Sequence, residues 1–157
     1  MSSGIQVADE VKEIFNKMKV VKSDTADKDR IRLVTFTIAG NIVVEKCFLQ
    51  SDLEDDCDVF KFLQTTLLTK TECRYILYDC HFETKESSRK EELVYMMWAP
   101  DTAQVKLRMN YAASNSAMER IVDGVKHKLQ INDLTYIDRL DFTKRLGNVH
   151  KLEGHDV

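Results

Sequence analysis

Apolar positions Val7, Val11, Ile14, Phe15 and Met18 recur at three- and four-residue intervals, which predicts an amphipathic helix over 7–18. The polar stretch 24–29 predicts a loop. The period then changes to two. Val34, Phe36 and Ile38 alternate with Leu33, Thr35 and Thr37 as a strand, and Ala39-Gly40-Asn41 turns the chain into a second strand over 42–49, so the pair reads as a hairpin. Asp55-Asp56 is suited to cap a helix running to Leu67, with Val59, Phe60, Leu63 and Leu67 inward. Segments 74–82 and 93–99 carry apolar side chains in both phases, the signature of central strands covered on both faces. The charged segment 83–92 between them predicts an exposed hairpin loop. Pro100-Asp101 interrupts the chain before a long helix over 103–122. A strand over 125–131 follows, and the chain from Asp133 reads as helical up to a stop at Gly147. This order predicts an α/β (α+β) fold, a central mixed β-sheet flanked by α-helices on both faces. No repeat, low-complexity tract or composition shift divides the chain, so one domain is expected over 1–157.

Composition narrows the function classes. The chain has 157 residues, 43% hydrophobic and 31% charged, which is a folding rather than a disordered composition. Twenty-three Lys and Arg against 26 Asp and Glu leave a net charge of −3, and no basic-aromatic platform is present; nucleic acid is not the expected partner. The longest apolar run, within 93–99, is far too short to span a bilayer, and no signal-peptide pattern opens the chain, so a cytoplasmic protein is expected. The glycines are too scattered for a phosphate loop or a dinucleotide fingerprint. Cys47, Cys57, Cys73 and Cys80 form no Cys-x-x-Cys pair and no zinc spacing, so free buried thiols are expected, with no metal and no cofactor. An enzymatic reading has only Cys73 or Cys80 with His81, or the formal Ser87-x-x-Lys90 pattern; neither has a supporting constellation. The chain is therefore not expected to be an enzyme.

The stretch 103–122 is the most informative. On a helical wheel Leu107, Tyr111, Met118, Ile121 and Val122 gather on one side. The opposite side holds Val105, Met109, Ala112, Ala113 and Ser116, framed by Lys106, Arg108 and Arg120. Two readings fit. The second side is a partner-binding face with an adaptable apolar centre and a basic rim, or the helix is buried on two sides by its own fold. A bend near Ser114 would shift the phase beyond that point.

Several segments, taken in order, resemble the actin-depolymerizing factor (ADF)/cofilin family over nearly the whole chain. They are Met1-Ser2-Ser3-Gly4-Ile5, Cys73-Arg74-Tyr75-Ile76-Leu77-Tyr78-Asp79, and Glu83-Thr84-Lys85-Glu86-Ser87. Then come Leu93-Val94-Tyr95-Met96-Met97-Trp98-Ala99-Pro100, Val105-Lys106-Leu107-Arg108-Met109-Asn110-Tyr111-Ala112 and Val125-Lys126-His127-Lys128-Leu129-Gln130. The resemblance implies the ADF-homology (cofilin-like) fold and actin binding without catalysis. Such proteins bind monomers and filaments, prefer the ADP-bound subunit, and sever and depolymerise filaments.

The resemblance also implies sites. Ser3, Gly4, Lys106, Arg108 and Met109 match the surface shared by monomer and filament, with Met109 in an apolar pocket and the two cations against acidic groups of actin. Arg89, Lys90, Lys144 and Arg145 match a filament-only surface, the tail pair in a segment whose length departs from the family pattern. Ser3 matches a regulatory phosphorylation site served by a Ser kinase and a phosphatase; a phosphate would add about −1.5 to −2 charges there. His127, in the inward phase of its strand, with Glu92 as acidic partner, matches a pH sensor. Read from strand phase alone, Lys126 and Lys128 point the other way as a basic stripe, and with Arg89, Lys90 and Arg120 they are expected to bind polyphosphoinositides in competition with actin. The protein itself is expected as a monomer. Where vertebrate cofilins carry a basic nuclear-localisation run, Lys28-Asp29-Arg30-Ile31-Arg32 is interrupted, so nuclear entry is not implied. A coactosin-like module that binds filaments without severing is the alternative; the Ser3 start and the Lys106-x-Arg108-Met109 helix argue against it.

Overall fold

The computed structural model describes residues 4–20, 29–53, 58–86, 88–147 and 149–157. Ser3, Cys57, Ser87, the expected caps Asp55 and Asp56, and most of the expected loop at 24–29 lie outside the described residues.

The first helix, α1 (Asp9–Lys19), buries Val11, Phe15 and Met18. Asp9 and Glu10 in its first turn and Lys17 and Lys19 in its last complement the helix dipole. Strands β1 (Ile31–Ala39) and β2 (Asn41–Leu49) form the expected hairpin. Its turn needs Gly40, whose φ is +78°. The next helix is shorter and later than its apolar spacing predicts. It is a single α-turn, α2 (Val59–Phe62), that widens into a π-turn over Leu63–Leu67. Its described cap is Asp58, which accepts from Lys61 N at 3.2 Å. The widening still buries Val59, Phe60, Leu63 and Leu67, so the inward face survives the change of pitch.

Strands β3 (Arg74–Thr84) and β4 (Arg89–Trp98) correct the expected loop at 83–92. Their antiparallel ladder continues to Glu83 opposite Arg89, and only a short turn projects beyond it. The charges suggested a loop, but β4 pairs with β3 along the whole arm and β6 pairs with the other edge of β3 there, so the polar side chains belong to a real ladder. Helix α3 (Val105–Ile121) leads to β5 (His127–Ile131), which lies parallel to β4 and makes the sheet mixed. The tail corrects a second expectation. Instead of one helical run from Asp133, a 3-10 turn (Leu134–Ile137) breaks at Asp138. Asp138 then caps α4 (Arg139–Leu146) by accepting from Asp141 N at 2.7 Å. After Gly147 come two strands that the sequence pattern did not reveal, β6 (Val149–Leu152) and β7 (His155–Asp156).

The strand order is β2-β1-β3-β4-β5, with β6 and β7 off that path. β1 takes the edge of β3 over Tyr75–Tyr78, and β6 takes the same edge over Phe82–Thr84. One face of the sheet packs Ile76, Tyr78, Met96 and Trp98 against α2 and α4 residues such as Phe60 and Phe142. The other packs Tyr75, Leu77, Tyr95 and Met97 against α1 and α3 residues such as Phe15 and Met118. The expected two-sided covering of β3 and β4 is thus realised. Among the described residues no helix is long and apolar enough to cross a membrane.

A charged cluster pins the start of β1 to the arm. Arg30 Nε donates to Asp79 Oδ2 at 2.6 Å and Arg30 Nη1 to Glu91 Oε2 at 3.0 Å, while His81 Nε2 lies 3.3 Å from each carboxylate. Burial raises the Asp79 carboxyl, but hydrogen bonds from His81 and Arg30 outweigh it and hold the group below its usual range. A depressed carboxylate contributes stability above its unfolded value and loses it as pH falls through the folded value. Asp79→Asn is therefore expected to destabilise the protein at neutral pH by about 1–3 kcal/mol, with the gap to wild type closing as pH falls below about 4. Urea unfolding of both proteins between neutral and acid pH checks this.

Candidate functional site: an open face on the long helix

The start of α3 is built by the end of the sheet. Ala99 N donates to Ile131 O at 3.1 Å and Asp101 N to Asn132 O at 3.0 Å, so the loop after β4 is fastened to the loop after β5. Ala103 N donates to Pro100 O at 2.9 Å. Thr102 Oγ1 donates to Lys70 O. These bonds set where α3 begins and which side faces the sheet.

The inward side buries Tyr111, Met118 and Val122, with Leu107 and Ile121 partly covered, as the wheel predicts. It also buries Ser114 and Asn115, which the wheel did not select. Two tyrosines, Tyr75 and Tyr95, account for them, and a third, Tyr111, ties the helix to the hairpin. Tyr75 OH donates to Tyr111 O at 2.6 Å, and Ser114 shares that hydroxyl. Tyr95 OH donates to Asn115 Oδ1 at 2.6 Å, and Asn115 Nδ2 donates to Glu119 Oε1 at 2.9 Å. Tyr111 OH accepts from Ile38 N at 3.0 Å, which joins the tip of the β1–β2 hairpin to the middle of α3. Burial pushes all three phenols up, so Tyr75 and Tyr95 keep the protons they donate.

The outward side is open. Val105 is 60% and Met109 66% exposed, and Ala112, Ala113 and Ser116 are exposed beside them. A helix buried on two sides by its own fold is thereby excluded. Lys106 and Arg120 are exposed at the rim. Arg108 is half-buried: its Nε donates to Ala103 O at 3.2 Å and its Nη1 lies 4.0 Å from Asp101, so part of this cation serves its own loop. The N-terminal segment arrives nearby. Ala8 N donates to Ile42 O and Ile42 N to Gln6 O, each at 2.9 Å, at the end of the sheet that Tyr111 also holds. Gly4, exposed, precedes this anchor.

Sequence reasoning missed a second apolar feature. Leu134 and Tyr136 are exposed, and Leu134 shares a groove of about 250 Å³ with Leu68, Trp98 and Pro100. No periodic signal marks it, because the break at Asp138 resets the helical phase.

The remaining expected residues fall in three places. Arg89 and Lys90 are exposed on β4 rather than in a loop, and Lys144 and Arg145 are exposed in the last turn of α4. Lys144 lines a groove of about 770 Å³ with Lys85, Leu140, His150 and Val157, whereas Arg89 borders a different cavity of about 300 Å³. His127 Nε2 lies 3.0 Å from Glu92 Oε1, and Lys126 Nζ donates to Glu92 Oε2 at 2.9 Å. Burial raises the Glu92 carboxyl, but His127 and Lys126 outweigh it and keep it below the usual range. Lys126 and Lys128 are exposed on the side of β5 away from its core residues Leu129 and Ile131.

Cys73 and Cys80 are buried as expected, but Cys47 is exposed on β2. Burial raises the Cys73 thiol and raises that of Cys80 well above the usual value, the opposite of what an attacking thiolate requires. Among the described residues no cluster of His, Cys, Asp and Glu is arranged to hold a metal.

An exposed methionine among small side chains, ringed by cations on a rigidly seated helix, defines a protein-binding domain. The sequence model of the cofilin/tropomyosin-type actin-binding proteins matches residues 4–147, and the chain belongs to this ADF/cofilin family of actin-binding proteins. Solved structures agree. Actin depolymerization factor 2 of Plasmodium berghei is 26% identical, with 93% of this chain and 99% of that one covered at a TM-score of 0.75. Streptomyces griseoflavus cofilin is 25% identical, with 90% and 98% covered at 0.70. The human coactosin-like protein, 13% identical with 94% and 91% covered at 0.64, shares the fold.

Proposed function

We propose that this single-domain protein binds both monomeric and filamentous actin, severs and depolymerises filaments, and so drives actin turnover in the cytoplasm, without enzymatic activity. The observation that carries the reading is the open side of α3, with Val105 and Met109 standing out from a helix whose other side is locked into the core. Met109 enters an apolar pocket on actin, with Lys106 and the free part of Arg108 against acidic groups. Ser3 and Gly4 extend this surface, and a phosphate on Ser3, added by a kinase and removed by a phosphatase, repels the acidic partner. Arg89, Lys90, Lys144 and Arg145 add the contact made only in filaments.

Regulation follows from β5 and its neighbour. His127, 3.0 Å from Glu92, is the proposed pH sensor: its protonated form weakens severing or favours lipid binding. Lys126, Lys128 and Arg120 bind polyphosphoinositides at a membrane surface in competition with actin. An NMR titration in which His127 shows no transition between about pH 6 and pH 8 would remove the sensor.

Filament co-sedimentation at two pH values, reading actin in pellet and supernatant, tests the whole reading. The expected result is a protein that pellets with filaments at the lower pH and shifts actin to the supernatant at the higher. Pelleting without release of actin favours the coactosin-like alternative; no association with actin overturns the reading.

A further inference from the structure

The family match ends at residue 147, yet the segment beyond it carries a buried carboxylate with three hydrogen bonds to the sheet. Glu153 sits between β6 and β7 with a φ of +53°, a left-handed conformation unusual for a residue other than glycine. Both carboxylate oxygens are engaged. Oε1 accepts from Arg32 Nη2, and Oε2 accepts from the Tyr78 hydroxyl and from His81 N, the last at 3.1 Å. The Glu153 N–H donates to His81 O at 2.9 Å. Arg32 also donates to Gln50 Oε1 at 2.6 Å and to Asp79 O at 3.1 Å. The Arg32 and Glu153 side chains are only 3% and 4% exposed. A buried ion pair on strained backbone persists only where its surroundings over-determine it, and four segments converge here: β1, the turn after β2, β3 and the β6–β7 turn.

The position of this clasp gives it a job. β1 supports β3 only over Tyr75–Tyr78, so the arm beyond, which carries Arg89 and Lys90, rests along that edge on β6. The same hairpin reaches α4, because Arg139 donates to Leu152 O and, at 3.1 Å, to His155 O. Glu153 therefore ties together the two elements that bear Arg89, Lys90, Lys144 and Arg145. Helices α1 and α3 pack on the other face of the sheet, and among the described residues none of Glu153's hydrogen-bond partners lies on them.

We propose that Glu153 is a positioning residue for filament binding: it holds the β3–β4 arm and α4 in the relative placement the filament requires and leaves the α3 surface untouched. This rests on the filament reading above. The competent fraction of arms, not the contact residues themselves, then sets the apparent affinity.

The test uses the full chain with Glu153→Ala, Glu153→Gln and Tyr78→Phe, the last keeping the Arg32 pair and removing one donor. Filament co-sedimentation, ADP-actin monomer titration and amide hydrogen exchange are read for each. Glu153→Ala is expected to weaken filament binding roughly tenfold, with monomer affinity within about twofold of wild type. Exchange should quicken over 79–92 and 149–156 and stay unchanged in α3. Glu153→Gln, which keeps acceptors for Tyr78 and His81, and Tyr78→Phe should shift the same readouts by less; they decide the matter if Glu153→Ala does not fold. Equal losses for monomer and filament, or quickened exchange with filament affinity unchanged, would overturn the proposal. If wild type binds no actin, the functional reading fails on its own. The exchange pattern then still decides whether Glu153 holds the arm: a change confined to the arm and hairpin supports it, and one spread through α3 overturns it.

Discussion

Met109→Glu is expected to weaken binding to both monomeric and filamentous actin by roughly a hundredfold or more while leaving the fold intact. The two halves of that expectation have separate causes. Met109 is two-thirds exposed on a helix whose stability comes from its opposite side, so the exchange removes no core contact and costs about 0.5 kcal/mol or less. In the proposed complex the same position is the centre of the apolar patch. A glutamate there loses the methionine's buried surface and places an uncompensated carboxylate against an acidic partner, a loss of at least about 3 kcal/mol. Thermal unfolding, a fluorescence titration of labelled actin monomer and filament co-sedimentation read the three quantities. Lys106→Ala should act more weakly and more at low salt, as expected of a rim cation. Full binding by Met109→Glu would show that the α3 face is not the actin surface.

The largest effect on stability is expected at Trp98. Its indole is 2% exposed, its Nε1 donates to Thr69 O at 2.8 Å, and it borders the groove formed with Leu68, Pro100 and Leu134. Trp98→Ala removes the largest fully buried side chain, leaves the Thr69 carbonyl without that donor, and opens a void that joins the groove. The expected cost is about 3–5 kcal/mol, a large share of the 5–15 kcal/mol that stabilises a typical domain. Urea unfolding with an unchanged slope would measure it. Trp98→Phe should recover roughly half, since the ring returns without the N–H. Because Trp98 ends β4 two residues before the turn that starts α3, a loss of actin binding in Trp98→Ala beyond the loss of folded protein would report displacement of the helix.

The elements that read correctly from sequence share one property: each buries a regular stripe against a neighbour whose identity does not matter. The 3.6-residue spacing in α1, the alternation and glycine turn of the β1–β2 hairpin, and the two-phase apolar runs of β3 and β4 are local consequences of burial. The elements that read poorly depend on a particular neighbour. The outer half of the β3–β4 arm looks like a loop because its residues are charged; it is a strand pair because β3 and β4 stay in register to its end and β6 lies along the free edge of β3. β6 itself is four residues long, too short to show a period. Ser114 and Asn115 break the polar-outside rule on α3 because the hydroxyls of Tyr75 and Tyr95, from distant strands, meet them in hydrogen bonds.

For the candidate site the division is the same. The sequence determined that Val105, Met109, Ala112, Ala113 and Ser116 share one side of a long helix with cations around them, because helical geometry places them so whatever surrounds them. It also determined that Leu129 and Ile131 turn inward from β5 while Lys128 turns away, because strand alternation places them so; Lys126 precedes the strand and reaches Glu92 together with His127. Only the tertiary structure decided that the Met109 side is left open, since openness is the absence of a neighbour and no local pattern encodes it. The same holds for Glu92 beside His127, for Arg89 and Lys144 lining different cavities, and for Glu153 closing on Arg32. The Glu92–His127 and Glu153–Arg32 contacts join residues tens of positions apart, and their energy exists only once the fold has brought those charges together.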